Sequence, residues 1–324
     1  MSTAKKLITV VPCYNEEAVL NDTHEKLYAL YVQMITEGLI TTNSIILYVD
    51  DGSKDRTWQI IEELTNDNKY ASGIKLAHNV GHQNALLAGL TEAKELGDIV
   101  ISIDADLQDD IHVIPKMVKK SIKGIDIVYG VRNKRTTDTW FKRTTAIAFY
   151  KLMHWLGVNT VYNHADFRLM SRRAICQLCK YRVRNLFLRG LVPLIGYKSS
   201  SVYYDRSERL AGDSKYPFNK MLNFAVDGIT SFSVKPVRMV FGLGLIFLFI
   251  SLVILIYVLY SVITHSIVPG WSSTILSIWF VGACVLIGLG IVGEYIGKIY
   301  IEVKDRPRFN IEKKANKDYN ENYD

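Results

Sequence analysis

From Met239 to Ile263 the chain runs 25 residues without a charged side chain. As a helix this stretch reaches roughly 37 Å, enough to cross a hydrocarbon core of about 30 Å with some tilt. Thr274 to Gly293 is a second uncharged run, and its glycines (Gly282, Gly288, Gly290, Gly293) suit close helix packing in lipid. Between the two, His265 to Ser273 carries no Lys or Arg. Lys215, Lys220, Lys235 and Arg238 precede the first run, and Lys298, Lys304, Arg306 and Arg308 follow the second. This asymmetry puts both chain ends in the cytosol and a short loop outside. The reading is a transmembrane hairpin over 239–297, with spans at about 239–263 and 274–293, in a multi-pass protein of the cell membrane. A cytosolic domain over 1–212, a juxtamembrane amphipathic segment over 213–238 and a cytosolic tail over 298–324 complete the organisation. The tail is polar from Ile311 onward and reads as disordered. Glu294 sits at the inner boundary, where a carboxylate costs little.

The part ahead of the hairpin has a different pattern. Leu7–Pro12, Ser44–Asp50, Ile74–Ala77, Ile99–Ile103 and Ile125–Gly130 are apolar runs of strand length. Helical patterns separate them, the clearest being Leu20, His24, Leu27, Tyr31 and Met34, with others near Gln83–Glu95 and Ile111–Lys123. Asn15 and Ser53 are the caps expected for the first two helices. His24 reads as a packed core histidine. Strands alternating with helices specify an α/β, Rossmann-like domain with a mainly parallel sheet and right-handed crossovers. Ligands of such sheets bind beyond the carboxyl ends of the strands, where Pro12–Glu17, Asp50–Ser53 and Asp104–Gln108 all fall.

Asp104 and Asp106 close the Ile99–Ile103 strand at spacing i, i+2, so in an extended chain both face one pocket. Two bare carboxylates about 4 Å apart repel by roughly 4 kcal/mol at an effective dielectric of 20, and so invite a cation. Hard oxygen ligands there suit Mg²⁺ or Mn²⁺ bridging to a substrate phosphate, with Gln108 able to add an oxygen. Pro12, Tyr14 and Glu16 can frame a base and ribose. Asp50 and Asp51 cannot both face the crevice, and Asp51, in the turn, is the expected nucleoside partner. Net charge is +7, which favours an anionic partner. The basic residues cluster near the membrane runs, which disfavours nucleic acid. Four cysteines make no disulfide framework in a chain of 324 residues, and Cys176 and Cys179 read as small residues on a helix. The stretches opening at Trp140, Arg182 and Lys215 mix basic with bulky apolar residues, as helices lying in a bilayer interface do.

Five ordered motifs, Val10–Glu17, Val49–Ser53, Asn79–Gln83, Asp104–Gln108 and His164–Leu169, resemble those of the family 2 glycosyltransferases. The likeness is greatest to the polyprenyl-phosphate branch, which includes bactoprenol glucosyltransferases and dolichyl-phosphate mannose synthases. Arg209–Tyr216 and Asp227–Pro236 resemble the segment that joins catalytic domain to membrane hairpin in the bacterial members. The resemblance implies a GT-A-type domain that transfers a hexose from a nucleotide-sugar donor to a polyprenyl phosphate, with inversion. UDP-glucose with undecaprenyl phosphate is the leading pair. It places Asp104, Asp106 and Gln108 at donor and metal, Asp106 also counting as catalytic, and Asp166 at the catalytic acidic position beside the acceptor, with Arg168 adjacent. One departure is visible: Asp110–Ile111 stands where the family often has prolines.

A phosphate monoester has a second pKa of about 6 and is already nucleophilic near neutrality. Asp166 is therefore expected mainly to orient, with proton abstraction second. Arg132, Arg143, Arg209 and Lys215 are the candidate grips on the lipid phosphate. Two rival readings compete with this one. A polysaccharide synthase would carry Gln-x-x-Arg-Trp and more spans, and no Arg-Trp occurs here. A non-catalytic nucleotide-sugar-binding regulator would have no need of all three acids. Self-association through the hairpin is a further expectation.

Overall fold

β1 (Leu7–Cys13) is buried along its whole length because both faces of the strand are covered, and every neighbour in the centre of the sheet follows from that. The computed structural model describes residues 4–132, 164–181, 183, 188–205, individual positions between 237 and 260, and 270–315. These divide into two compact units, one carrying the sheet and the other carrying the apolar C-terminal helix. In the first unit β1 lies between β2 (Ile45–Asp50) and β4 (Ile99–Ser102), both parallel to it. The full order is β7-β5-β6-β4-β1-β2-β3-β8, with β3 at Ala71–Leu76, β5 at Ile127–Arg132, β6 at His164–Ser171, β7 at Ser199–Tyr204 and β8 at Ile311–Ala315. The β1–β2, β1–β4, β2–β3 and β5–β7 pairs are parallel; β6 runs antiparallel to β4 and β5, and β8 to β3.

The helical stripe read from the sequence is α1 (Leu20–Thr36), which buries Leu20, Thr23, His24, Leu27, Leu30, Tyr31 and Met34. Each fully buried Leu or Met contributes about 1.5–3 kcal/mol of transfer free energy. α2 (Thr57–Asp67), α3 (His82–Leu96), a short 3₁₀ turn (Ile111–Val113) and α4 (Ile114–Ile122) follow. α5 (Arg172–Cys179) carries Cys176 and Cys179, and α6 (Leu188–Leu194) packs against the sheet. α6 buries Leu188, Leu191 and Val192, and among the described residues of this stretch Leu194 is exposed.

Both expected caps have other jobs. Asn15 adopts a positive φ of 56°, and its side-chain carbonyl accepts from the Lys54 amide. The Ser53 hydroxyl accepts from the Asn15 amide, and Asp55 accepts from Thr57 at the start of α2. The two loops thus fasten each other instead of capping their helices. The tail is also more ordered than expected: Ile311–Ala315 pairs with β3, Lys314 bonds Glu92 at 2.6 Å, and Arg308 donates to the Tyr181 carbonyl.

In the second unit α7 runs from Trp271 to Val303, past the boundary expected at Gly293. Its Phe280–Val303 portion is long and apolar enough to cross a membrane, with mean hydropathy 1.9. Phe280, Leu286, Ile287 and Leu289 are all more than half exposed, as side chains facing lipid would be. Most of the first expected span, and all of Arg143, Arg209 and Lys215, lie outside the described residues.

Candidate active site

The carboxyl ends of β1, β2 and β4 gather the three polar clusters, though Asp104 and Asp106 get there differently from the sequence expectation. β4 ends at Ser102, so the pair stands on a turn past the strand. That turn is closed by the Leu107 amide donating to the Asp104 carbonyl, with Leu107 at a positive φ of 42°, and the Thr23 hydroxyl of α1 holds the Ala105 carbonyl. Alternation along a strand therefore does not set the pair. The Gln108 amide donates to the Asp106 carboxylate, and Asp106 stays at the turn. Gln108 itself is 4% exposed, and its Nε2 is buried without a hydrogen-bond partner.

Antiparallel β6 delivers the second acid. Ser102 is in register with Arg168, so β6 brings Asp166, two residues before Arg168, beside the end of β4 where the Asp104 turn begins. The Ser102 hydroxyl seals the joint on the Asp166 carbonyl at 2.5 Å. Between the acids stands His82, the first residue of α3, whose Nε2 is 3.6 Å from Asp104 and 3.7 Å from Asp166. Asp51 fixes the loop ahead of it by accepting from the Val80 amide at 2.7 Å and the Gly81 amide at 3.0 Å. Gly81 has φ +86° and Gly52 φ +66°, and a Cβ on Gly52 would lie 2.7 Å from the Asn79 nitrogen. Only glycine suits that approach. Asp51, 3% exposed, is thus engaged with backbone amides and positions His82. In the sequence Asn79–Gln83 stands out only by its resemblance, and no local pattern marks His82.

Asp166 is 7% exposed and surrounded by cations. Arg168, 1% exposed, donates to it at 2.6 Å. Arg189 of α6 donates through Nε at 3.3 Å and Nη2 at 3.1 Å, and Gln83 donates at 3.3 Å. Burial pushes the Asp166 carboxyl upward, but His82, Arg189 and Arg168 outweigh it and hold it well below the usual carboxylate range. Asp104 goes the other way. Removal from bulk water raises its carboxyl to about 6, Asp166, Asp109 and Asp106 add to the rise, and His82 opposes it. Its side chain is still 44% exposed.

Such crowding of acids around an accessible carboxylate fits a divalent cation. Among the described residues no three His, Cys, Asp or Glu side chains close into a metal cage.

Elsewhere along the crevice, Tyr14 is 41% exposed and Pro12 is buried within β1. Glu16 is fixed at its amide by the Thr57 hydroxyl. Arg132, expected at the acceptor phosphate, is committed to Asp109 through Nε at 3.0 Å and Nη2 at 2.8 Å. Tyr204 donates to the same Asp109 oxygen at 2.6 Å. This triad ties the end of the Asp104–Asp109 loop to β5 and β7, which makes Arg132 a positioning residue.

Residues 9–178 match the model described as glycosyl transferase family 2. The chain belongs to that family. Within glycosyltransferase family 2, it is 55% identical over 306 residues to the Bacillus subtilis (strain 168) glycosyltransferase YkoT, covering 94% of this chain and 91% of that one. It is 38% identical over 313 residues to the prophage bactoprenol glucosyl transferase homolog of Escherichia coli (strain K12), covering 95% and 99%. Among solved structures, mannosyl-3-phosphoglycerate synthase from Rubrobacter xylanophilus is similar at 17% identity and a TM-score of 0.49, covering 72% of this chain and 74% of that one. The mainly parallel, Rossmann-like sheet is the GT-A-type domain of this glycosyltransferase, and an apolar helix follows it.

Proposed function

We propose that the protein transfers a hexose from a nucleotide diphosphate sugar, UDP-glucose first, to undecaprenyl phosphate at the inner face of the cell membrane, with inversion. The observation that carries the reading is the placement of Asp104 and Asp166 on either side of His82, within 3.6 and 3.7 Å of its Nε2. One acid serves a donor and the other an acceptor in a single crevice. Near-full-length similarity to bactoprenol glucosyl transferases supports the lipid phosphate as acceptor.

Asp104 and Asp106 would hold Mg²⁺ or Mn²⁺, with Gln108 the expected third oxygen. When bound, such an ion supplies positive charge to the departing diphosphate, an effect stronger in the transition state than in the ground state. Tyr14, exposed beside the Asn15–Ser53 contact, offers a flat face to the base, and Asp51 secures the loop next to the ribose. Asp166, held ionised and hydrogen-bonded by cations, makes a weak base and a firm orienter. The acceptor needs no stronger base, since its phosphate is mostly dianionic near neutral pH. α7 and the uncharged run before it form the proposed hairpin that keeps this chemistry at the bilayer. Self-association of the hairpin belongs to the same proposal.

The test is incubation of the purified full chain with labelled UDP-glucose, UDP-N-acetylglucosamine or GDP-mannose, Mn²⁺ and undecaprenyl phosphate. The expected result is label in the lipid phase from UDP-glucose, abolished by Asp104→Asn. Absence of lipid-phase label with every donor would reject the proposal.

A further inference from the structure

We infer that β8, with Asn310 ahead of it, is a positioning element for the reaction: it holds the loop that delivers His82 between Asp104 and Asp166. The inference rests on the crevice being the site of transfer, as proposed above, and not on which sugar or acceptor is used. The loop starts where β3 stops, at Leu76, and ends at His82, the first residue of α3. Its far end belongs to the turn after β2. There the Val80 and Gly81 amides bond Asp51, and the Gly52 backbone comes so close that a Cβ would lie 2.7 Å from the His78 carbonyl carbon and the Asn79 nitrogen. Its near end belongs to the other end of the chain. The Ala77 amide donates to the Asn310 carbonyl at 2.9 Å, immediately before β8 begins.

β8 also grips both elements that flank the loop. It pairs with β3 from Gly73 to Leu76, and the register shifts between Lys75 and Leu76, next to the loop. Glu312 lies 3.1 Å from Lys75 of β3, and the Ser72 hydroxyl donates to the Ala315 carbonyl at 3.3 Å. Lys314 reaches past the strand to Glu92 of α3 at 2.6 Å. A strand that merely covered a sheet edge would need only the ladder. The bonds to Ala77 and Glu92 go further, and through them the strand before the loop and the helix after it are fixed to each other. Neither acid depends on β8: the Thr23 hydroxyl holds the Asp104 turn, and Arg168 holds Asp166. Releasing β8 therefore loosens the imidazole between the acids and leaves the acids in place, so turnover falls while donor binding is retained.

Full-length variants test this. In the first, every residue of Ile311–Ala315 is replaced by proline, which removes each donor β8 can give to β3. The second combines Glu312→Lys with Lys314→Glu, setting like charges beside Lys75 and Glu92; the third adds Lys75→Glu and Glu92→Lys, which restores both pairs with reversed polarity. Three quantities are read: kcat for transfer, affinity for UDP with Mn²⁺ by calorimetry, and amide hydrogen exchange of Ala77–Gly81 against β1. For the proline variant the expected result is a kcat lowered about 10- to 100-fold, UDP affinity within about twofold of wild type, and faster exchange at Ala77–Gly81 with β1 still protected. The second variant should lose about two- to fivefold in kcat and the third should regain it. Unchanged kcat in the proline variant would overturn the inference, as would a loss matched by weaker UDP binding and faster exchange in β1. No transfer by the wild type would reject the proposed function; the exchange comparison then decides on β8 by itself, and unchanged protection of Ala77–Gly81 would overturn it.

Discussion

The raised carboxyl of Asp104 makes a quantitative prediction about metal binding. A carboxyl at about 6 is roughly one-quarter ionised at pH 5.5 and about 97% ionised at pH 7.5. Because a metal binds only the deprotonated ligand, affinity should fall about fourfold between these pH values, or about 0.8 kcal/mol. With an ordinary carboxyl near 3.8 the same interval would change affinity by a few per cent. His82 acts in the same direction: its pKa is raised, burial being outweighed by Asp166 and Asp104, so acid places a cation 3.6 Å from Asp104. Fourfold is therefore a floor. Mn²⁺ binding to the protein alone, followed by loss of the free-ion electron paramagnetic resonance signal, avoids the titrations of UDP and lipid phosphate. The dependence should persist in His82→Gln, whose removal takes away the group that lowers the Asp104 carboxyl, and flatten in Asp104→Asn. Equal Mn²⁺ affinity at pH 5.5 and 7.5 in the wild type would refute the reasoning.

Three further outcomes follow from particular contacts. Tyr204→Phe removes a 2.6 Å hydrogen bond to buried Asp109 while Arg132 stays, so it should cost about 1–2 kcal/mol and lower Tm without changing donor specificity. Gly89→Ala puts a Cβ 2.4 Å from Val10 Cγ1 and 2.7 Å from Val49 Cγ2, both on stiff branched side chains. Overpacking of about 1–3 kcal/mol should exceed the helix-propensity gain of about 1 kcal/mol, and a higher Tm in the variant would contradict the tight α3–sheet contact. His24 is 6% exposed between the Tyr48 hydroxyl and the Asn68 amide, and burial holds its pKa below 6.5. Its contribution to stability is present above the unfolded pKa and lost as pH falls through the folded one. The drop in Tm from pH 7 to 5 should therefore shrink in His24→Gln.

The central strands were legible because each is buried on both faces and reads as a continuous apolar run. β6, β7 and β8 were not. β6 carries Asp166 and Arg168 inside a strand, a pattern that reads as loop until the two charges are seen to pair. β7 begins Ser199-Ser200-Ser201 and β8 contains Glu312-Lys313-Lys314, polar sequences tolerated because both strands lie at sheet edges. Local preference makes Asn15 and Ser53 caps, but a loop–loop contact 38 residues apart in sequence claims both groups. The acids at 104 and 106 were found by spacing, while the turn that holds them depends on Thr23 and Val10, which no local pattern reveals.

Asp166 shows what the fold adds to a residue that the sequence had already picked out. A carboxylate this buried, taken alone, would have its pKa raised and would make a plausible general base. His82, Arg168 and Arg189 come from α3, β6 and α6, and together they reverse the sign of the shift. Asp166→Asn would therefore do more than remove a proton acceptor. It would leave Arg168, 1% exposed, without its carboxylate and release Arg189 from its mount. Losing one partner of a buried pair costs about 3–5 kcal/mol, so loss of turnover in that variant alone does not identify a base. The discriminating quantity is the acceptor KM. A base removed from an intact acceptor site lowers kcat at unchanged KM, whereas loss of the acid that holds Arg168 and Arg189 in place should raise KM as well.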